Sequence, residues 1–374
     1  MKRMNKTYIF IFIGTFLFAC ILQGILWHNV QIIDKEVWSD QASYVATNDA
    51  REYDTNTAYG HPGGPIIEGE ILLHNMFNIS YAQSLTVFLA LFDGLIIAIC
   101  CMVCFALSKS IVVAVIDLIV LSANRLYFFA TPPSAVVTPL VALIVLITLY
   151  IHVMKQKPWW IYFLWGIVSG MAIATRVDIG GIIVFTCALS LLFAIEWRKL
   201  LVVAVGTCIS FALFDPFMWW MPVRHIMDMI RNIFFQYNAF PMVTHIGFST
   251  ALNISLLALL GVFLTSIFIF CKKEFRVLPN TLSIPLLVMT FGLYFVFLTA
   301  HYQAVRYFMP VILIWEVLVP FLIFNVIKKM PISIDMSSER KAMVRTAATY
   351  LIAAILICYE VMPFTLDYVR YFTS

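Results

Sequence analysis

Asp34-Lys-Glu-Val-Trp-Ser-Asp40-Gln-Ala-Ser-Tyr44, followed by Tyr59-Gly-His61-Pro62, lies within residues 29–80, a polar island in a chain that is otherwise almost all hydrocarbon. The island holds eight of the twenty acidic residues: Asp34, Glu36, Asp40, Asp49, Glu52, Asp54, Glu68 and Glu70. It stands directly between the first two apolar runs. A protein that needed only to span a bilayer has no use for a long acidic loop there. The island therefore reads as the place where chemistry happens, within an all-α polytopic membrane protein.

The rest of the chain supports that frame. Its 374 residues are 62% hydrophobic and 12% charged, with a mean hydropathy of +0.94. Soluble domains carry about 25% charged residues, so an ordinary globular core is excluded. The net charge of +4 points to no nucleic-acid partner, because the basic residues mark topology. The eight cysteines fall within or at the ends of apolar runs, and no disulfide framework is implied. Cys100-Cys101-x-x-Cys104 is spaced like a metal motif, but it sits mid-run without a polar partner and reads as small apolar filler. The basic start, Met1-Lys-Arg-Met-Asn-Lys6, leads into an apolar run from Tyr8 to Trp27. That run has about the ~20 residues a crossing needs and no small-residue cleavage site, so it reads as a retained first helix.

At a minimum of ~17 residues each, about eleven transmembrane helices are expected. They cover 8–28, 82–107, 110–129, 135–153, 159–175, 179–195, 199–217, 249–271, 281–299, 308–327 and 344–362. The pairs around 159–195 and 281–327 are short enough for one member of each to be re-entrant. A second outer loop, 218–248, carries an amphipathic segment: Arg224, Asp228 and Arg231 share one helical face, with Ile226, Met229, Ile230 and Phe234 on the apolar side. A structural anchor in the outer interface is its expected role. Ile66 to Phe77 reads as a second interfacial helix, leading into span two. The whole, 1–374, forms one transmembrane domain. The chain stops soon after its last apolar run, so no soluble C-terminal domain is expected.

Alternating the loops places sixteen Lys and Arg residues on one side and eight on the other. By the positive-inside rule the first side, with the N-terminus, is cytoplasmic. Eleven of twelve lysines lie there, yet seven of twelve arginines lie outside. Arginine is preferred where a planar fork grips phosphate or carboxylate, which suggests binding, with pairing to outer carboxylates as the plain alternative. No repeat divides the chain into halves, which lowers a transporter reading. Asp93, Asp117 and Glu316 fall inside spans, where charge is costly and function is the default reading; for Asp117 and Glu316, on helices whose outer ends carry Arg125 and Arg306, an internal hydrogen bond or ion pair is an equally good account.

Asp40-Gln-Ala-Ser-Tyr44 and Tyr59-Gly-His61-Pro62 resemble the first outer loop of the GT-C glycosyltransferases. The similarity is to the branch of protein O-mannosyltransferases and lipid A aminoarabinose transferases, with Gln41 in place of a Glu and Gly63 in place of a second Pro. Three further stretches extend it in order. Gly166-Ile-Val-Ser-Gly170 leads to Thr175-Arg176-Val-Asp178, Asp215-Pro216-Phe-Met-Trp-Trp follows, and His301 leads to Arg306-Tyr307-Phe-Met-Pro310. The resemblance covers residues 1 to about 325.

It implies an inverting glycosyltransferase that takes a sugar from a polyprenyl-phosphate donor on the outer side of the membrane. Asp40 is the expected general base, with Asp34 in reserve. Arg306, Arg176 and Arg125 are expected to hold the lipid phosphate, and Tyr44, His61 and Tyr307 to position sugar or phosphate. No cofactor and no essential metal are expected, since no Asp-x-Asp stands in an outer loop and Asp34-x-Glu36 is a weak substitute. An envelope glycan or lipid-linked acceptor is expected ahead of a protein, and a bacterial inner membrane is the expected location. A transporter or flippase of a lipid-linked saccharide, using the same arginines without chemistry, is the rival reading.

Overall fold

The computed structural model describes residues 6–29, 35–47, 63–124, 126–127, 130–155, 157–227, 256–270, 278–299, 305–329 and 338–373. Among these residues the secondary structure is helical throughout, without a strand. The helices are α1 (Lys6–Asn29), α2 (Lys35–Ala46), α3 (Gly64–Phe77), α4 (Tyr81–Ser108), α5 (Ile111–Ser122), α6 (Pro132–Val153) and α7 (Trp160–Thr175). They continue as α8 (Val177–Leu192), α9 (Trp197–Phe214), α10 (Phe217–Trp220), α11 (Leu256–Phe270), α12 (Asn280–Thr299), α13 (Val305–Lys329) and α14 (Ser338–Thr373). Residues 222–227 are also helical, and the remainder of the expected amphipathic segment lies outside the described residues.

Each of the eleven apolar runs holds one helix. Six of these helices, α1, α4, α6, α9, α13 and α14, are long and apolar enough to cross a membrane. The other five, α5, α7, α8, α11 and α12, have apolar helical lengths of 10–17 residues. The twelve residues of α5 rise only ~18 Å at 1.5 Å each, against ~30 Å of hydrocarbon. The run at 110–129 is shortened because helical backbone stops before Asn124, whose side-chain oxygen accepts from the Leu126 amide at 2.9 Å.

Helix α6 is the core. Nearly every side chain from Pro132 to Leu149 is buried, with α4, α7, α8 and α13 packed around it. Its run of Val, Leu and Ile has no polar face, as a helix enclosed on all sides requires. Helices α7 and α9 meet through glycine. A Cβ on Gly166 would stand 2.6 Å from the Val203 carbonyl, and one on Gly170 would stand 2.5 Å from that of Thr207. The backbones therefore touch, and Ser210 donates to the Ile167 carbonyl at 2.7 Å.

The chain direction alternates through the bundle, so one end gathers a defined set of helix termini. Gln23, near the end of α1, donates to the Ser122 carbonyl at the end of α5. Arg176, after α7, reaches Ser134 in the first turn of α6. At the opposite end His152 Nε2 lies 2.6 Å from Ser190 Oγ, joining α6 to α8.

Helices α2 and α3 are laid onto the first of these ends. A capping box, Ser80 with Gln83, starts α4 only a few residues after α3 ends on a left-handed Asn78. His74 stacks on Tyr81 with ring centroids 4.2 Å apart, fixing that corner. On α2 the buried positions are Trp38, Gln41, Ala42 and Val45, an i, i+3, i+4, i+7 stripe facing the bundle.

Candidate functional site

The residues after His61-Pro62 anchor the first loop to the bundle. The Gly63 amide donates to the Thr175 carbonyl at the end of α7 at 3.2 Å. Gly63 has φ +61°, and the Trp38 ring occupies the space a Cβ would need, 2.0 Å from its ideal position. Gly64 sits on the end of α9, where a Cβ would fall 1.7 Å from the Phe214 carbonyl oxygen. Only glycine fits at either place. The Gly-Gly pair that stands where the resemblance places a second Pro is thus a docking joint between α3, α7 and α9.

One residue beyond Thr175 is Arg176, a single extended link between α7 and α8, with φ −150° and ψ 107°. Its side chain is 2% exposed. Nε donates to Asp178 Oδ1 at 3.0 Å, a terminal nitrogen to Asp178 Oδ2 at 2.5 Å, and the other to Ser134 Oγ at 2.8 Å. Ser134 Oγ in turn lies 3.1 Å from Thr131 Oγ1. Asp178 stands in the first turn of α8, where a negative charge also suits the helix dipole. The fork–fork pair locks the α7–α8 reversal to the start of α6.

A third group completes this end. Asp215, fully buried, accepts from the Phe217 amide at 3.1 Å and pairs with His225 Nε2 at 2.8 Å. Glu68 of α3 faces it. Burial, and then the Asp215 charge, push the Glu68 carboxyl up to about 8 from an ordinary 4.5. Its Oε1 has no hydrogen-bond partner among the described residues. At neutral pH Glu68 is mostly a carboxylic acid, a proton-holding group at the base of the first loop.

The expected site residues divide as follows. Asp40 is exposed on α2, opposite the buried stripe, and forms no ion pair or hydrogen bond with a described residue. Tyr44 lies one turn further along α2 and is half-buried. Arg176 is at the joint just described. Arg306 and Tyr307 belong to the first turn of α13, with side chains outside the described residues. Asp34, His61 and Arg125 lie outside the described residues altogether. The structure thus brings α2, α3 and Arg176 to one end of the bundle through Trp38, Gly63 and Thr175.

Asp178, Ser134, Glu68 and His225 join this end without having been singled out for it. Asp178, two residues from Arg176, was the legible signal among them. Among the described residues no group of three His, Cys, Asp or Glu side chains could hold a metal ion. Within the helices Glu316 accepts from Asn124 Nδ2 at 2.7 Å, and Glu360 lies 3.4 Å from the same nitrogen, so the internal hydrogen bond expected for Glu316 is present. The buried carboxyls of Asp93 and Asp117 lie beside the Trp27 ring nitrogen and the Cys104 thiol, with no partner among the described residues in full hydrogen-bond geometry.

No family model matches the sequence, and no curated protein matches it. Solved structures do. The apo form of the oligosaccharyltransferase from Archaeoglobus fulgidus superposes with a TM-score of 0.50 at 11% identity, covering 96% of this chain and 55% of that one. The oligosaccharyltransferase AglB of the same organism, in complex with an inhibitory peptide and a dolichol-phosphate, does so with a TM-score of 0.50 at 13% identity, covering 95% and 55%. The chain therefore spans little more than half the length of these archaeal neighbours. The likeness is one of fold and runs over nearly the whole chain: the protein is built on the GT-C fold that the order of its motifs implies.

Proposed function

We propose that this chain is an inverting membrane glycosyltransferase that moves a sugar from a polyprenyl-phosphate donor to an envelope glycan or lipid-linked acceptor. The observation that carries the reading is the seating of the first-loop helices, on a GT-C fold, over the end of the bundle that holds Arg176. A dolichol-phosphate bound by one archaeal neighbour supports a lipid phosphate as the donor's carrier.

In this reading Asp40 is the base. Its exposed carboxylate has no ion pair with a described residue to break before it takes a proton from an acceptor hydroxyl. That hydroxyl oxygen bonds to the anomeric carbon as the bond to the lipid phosphate breaks, and the phosphate leaves as an already stable anion. General-base help of this kind is worth about 10²–10⁴-fold. Asp34 is the reserve base. Arg306 and Arg125 hold the departing phosphate, with Tyr44, His61 and Tyr307 placing sugar and phosphate. The fork of Arg176 already grips Asp178 and Ser134, so its part is to fix the platform on which the donor phosphate rests. Membrane placement follows the same reading, with the Arg176 end outside and the N-terminus inside a bacterial inner membrane.

The experiment supplies labelled polyprenyl-phosphate sugar to purified protein in vesicles. Transfer by the wild type, and its loss in Asp40→Asn with donor binding kept, supports the assignment. Donor binding and movement across the vesicle wall with no transfer under any condition would reject it in favour of a carrier. Label appearing only on protein would overturn the acceptor.

A further inference from the structure

The end of the bundle opposite Arg176 carries a charged corner that the proposed reaction does not use. Lys157, in the link between α6 and α7, stands near Lys199 in the first turn of α9. Burial, and then the Lys199 charge, lower the Lys157 ammonium below the ordinary lysine range. Among the described residues Lys157 forms no ion pair. Lys199 has one, to Glu196 at 3.5 Å, with both side chains open to solvent; such an exposed pair neutralises little. Lys199 Nζ also lies 5.6 Å over the Tyr162 ring, and Arg198 lies 5.7 Å over Trp197. Lys199 over Tyr162, early in α7, places its ammonium at the same corner as Lys157, and among the described residues the one acid paired with either is the exposed Glu196, which leaves room for an anion.

The surroundings say what kind of anion. Trp159, Trp160 and Trp197 are all exposed here, in the place where indole rings mark the boundary between headgroups and hydrocarbon. From Trp197 an exposed apolar ridge runs down α9 at every fourth position: Leu201, Val205, Ile209 and Leu213. At 1.5 Å per residue it extends ~24 Å, longer than the ~15 Å half-thickness of a hydrocarbon core.

We propose that this corner binds one anionic phospholipid, with its headgroup phosphate between Lys157 and Lys199 and an acyl chain along the α9 ridge. A free phosphate would use the charges and leave the ridge idle. A zwitterionic lipid would use the ridge and bring no net charge to the lysines. An anionic lipid matches both features, and the attraction of basic residues for such headgroups supplies the selectivity. The site is independent of the glycosyltransferase reading, since it lies at the other end of the helices and shares no residue with it.

The test offers the full chain in detergent equal amounts of phosphatidylglycerol and phosphatidylcholine and counts retained lipid by native mass spectrometry. Wild type should keep phosphatidylglycerol over phosphatidylcholine by roughly tenfold or more. Lys157→Gln with Lys199→Gln should bring the two lipids level, and Lys157→Arg with Lys199→Arg should preserve the preference. Because the Gln pair could fold poorly, thermal melting of the wild type is read alongside: phosphatidylglycerol should raise its midpoint and phosphatidylcholine should not. Equal retention of both lipids by wild type, undiminished retention by the folded Gln pair, or displacement of the lipid by inorganic phosphate alone would overturn the proposal.

Discussion

Arg176 engages all three nitrogens of its guanidinium on protein partners, at 2.5–3.0 Å from Asp178 and 2.8 Å from Ser134. A binding role for it was the expectation from the lysine–arginine asymmetry. The break between the runs 159–175 and 179–195 was legible, but the grip of Arg176 on Asp178 and Ser134 was not, because hydropathy carries no information about side-chain partners. Lysine cannot reproduce a planar fork. Arg176→Lys should therefore loosen the platform and cut sugar transfer by ~10²-fold, the scale of an ~1 Å misplacement, with donor affinity less affected. Arg176→Ala should also unfold more readily, toward the low end of the ~3–5 kcal/mol for a broken buried pair, because Asp178 keeps a 28% exposed side chain. Single-turnover rates and thermal melts in detergent read the two effects apart.

Glu68 gives a second residue-scale outcome. Its carboxyl titrates near 8 when folded, against an ordinary 4.5. Between those values the folded chain binds a proton that the unfolded chain has lost, so stability falls as pH rises through that window and is level above it. The protein should melt at a higher temperature at pH 5 than at pH 9 by this contribution. Glu68→Gln should remove that part of the slope, and an unchanged slope in the variant would show that Glu68 is not the group responsible.

At the scale of elements, the glycine spacing of α7 was visible in the sequence as a helix contact, but its partner was not. Spacing says that a backbone can approach, and only the fold supplies the Val203–Thr207 stretch of α9 that does so. The consequence is positional. Gly170→Val forces a side chain against the Thr207 carbonyl and should cost roughly 1–3 kcal/mol as α7 and α9 are pushed apart. Gly181→Val on α8 meets nothing within 4 Å of its Cβ and should leave the thermal midpoint nearly unchanged. The pair of melts separates close packing from the general dislike of β-branched residues in helices. Gly64→Ala acts on a different joint. With the Phe214 carbonyl 1.7 Å from the ideal Cβ position, α3 must lift from α9, and protease sensitivity should rise in the first loop before the bundle melts.

For the whole molecule, the apolar runs placed eleven of the helices in order, six of them long enough among the described residues to cross a membrane, and the motifs implied the fold that the archaeal neighbours share. The length of α5 escaped, because it stops ahead of Asn124, a break held by a buried polar bond that a hydropathy average smooths away, whereas the parting of α7 and α8 falls between the expected runs 159–175 and 179–195. The side of the membrane on which the joint lies is an expectation from charge alone, through the placement of sixteen basic residues against eight. That placement can be checked without any assumption about chemistry. In a background with all eight native cysteines replaced, a single cysteine at exposed Asn75 on α3 should react with a membrane-impermeant maleimide added outside intact cells. A cysteine at exposed Lys155, in the link between α6 and α7, should react only after the membrane is opened. The reverse pattern would invert the molecule and put Asp40 and Arg176 on the cytoplasmic face. An outward-facing sugar transfer would then be ruled out, while the helix packing described for α6, α7 and α9 would stand.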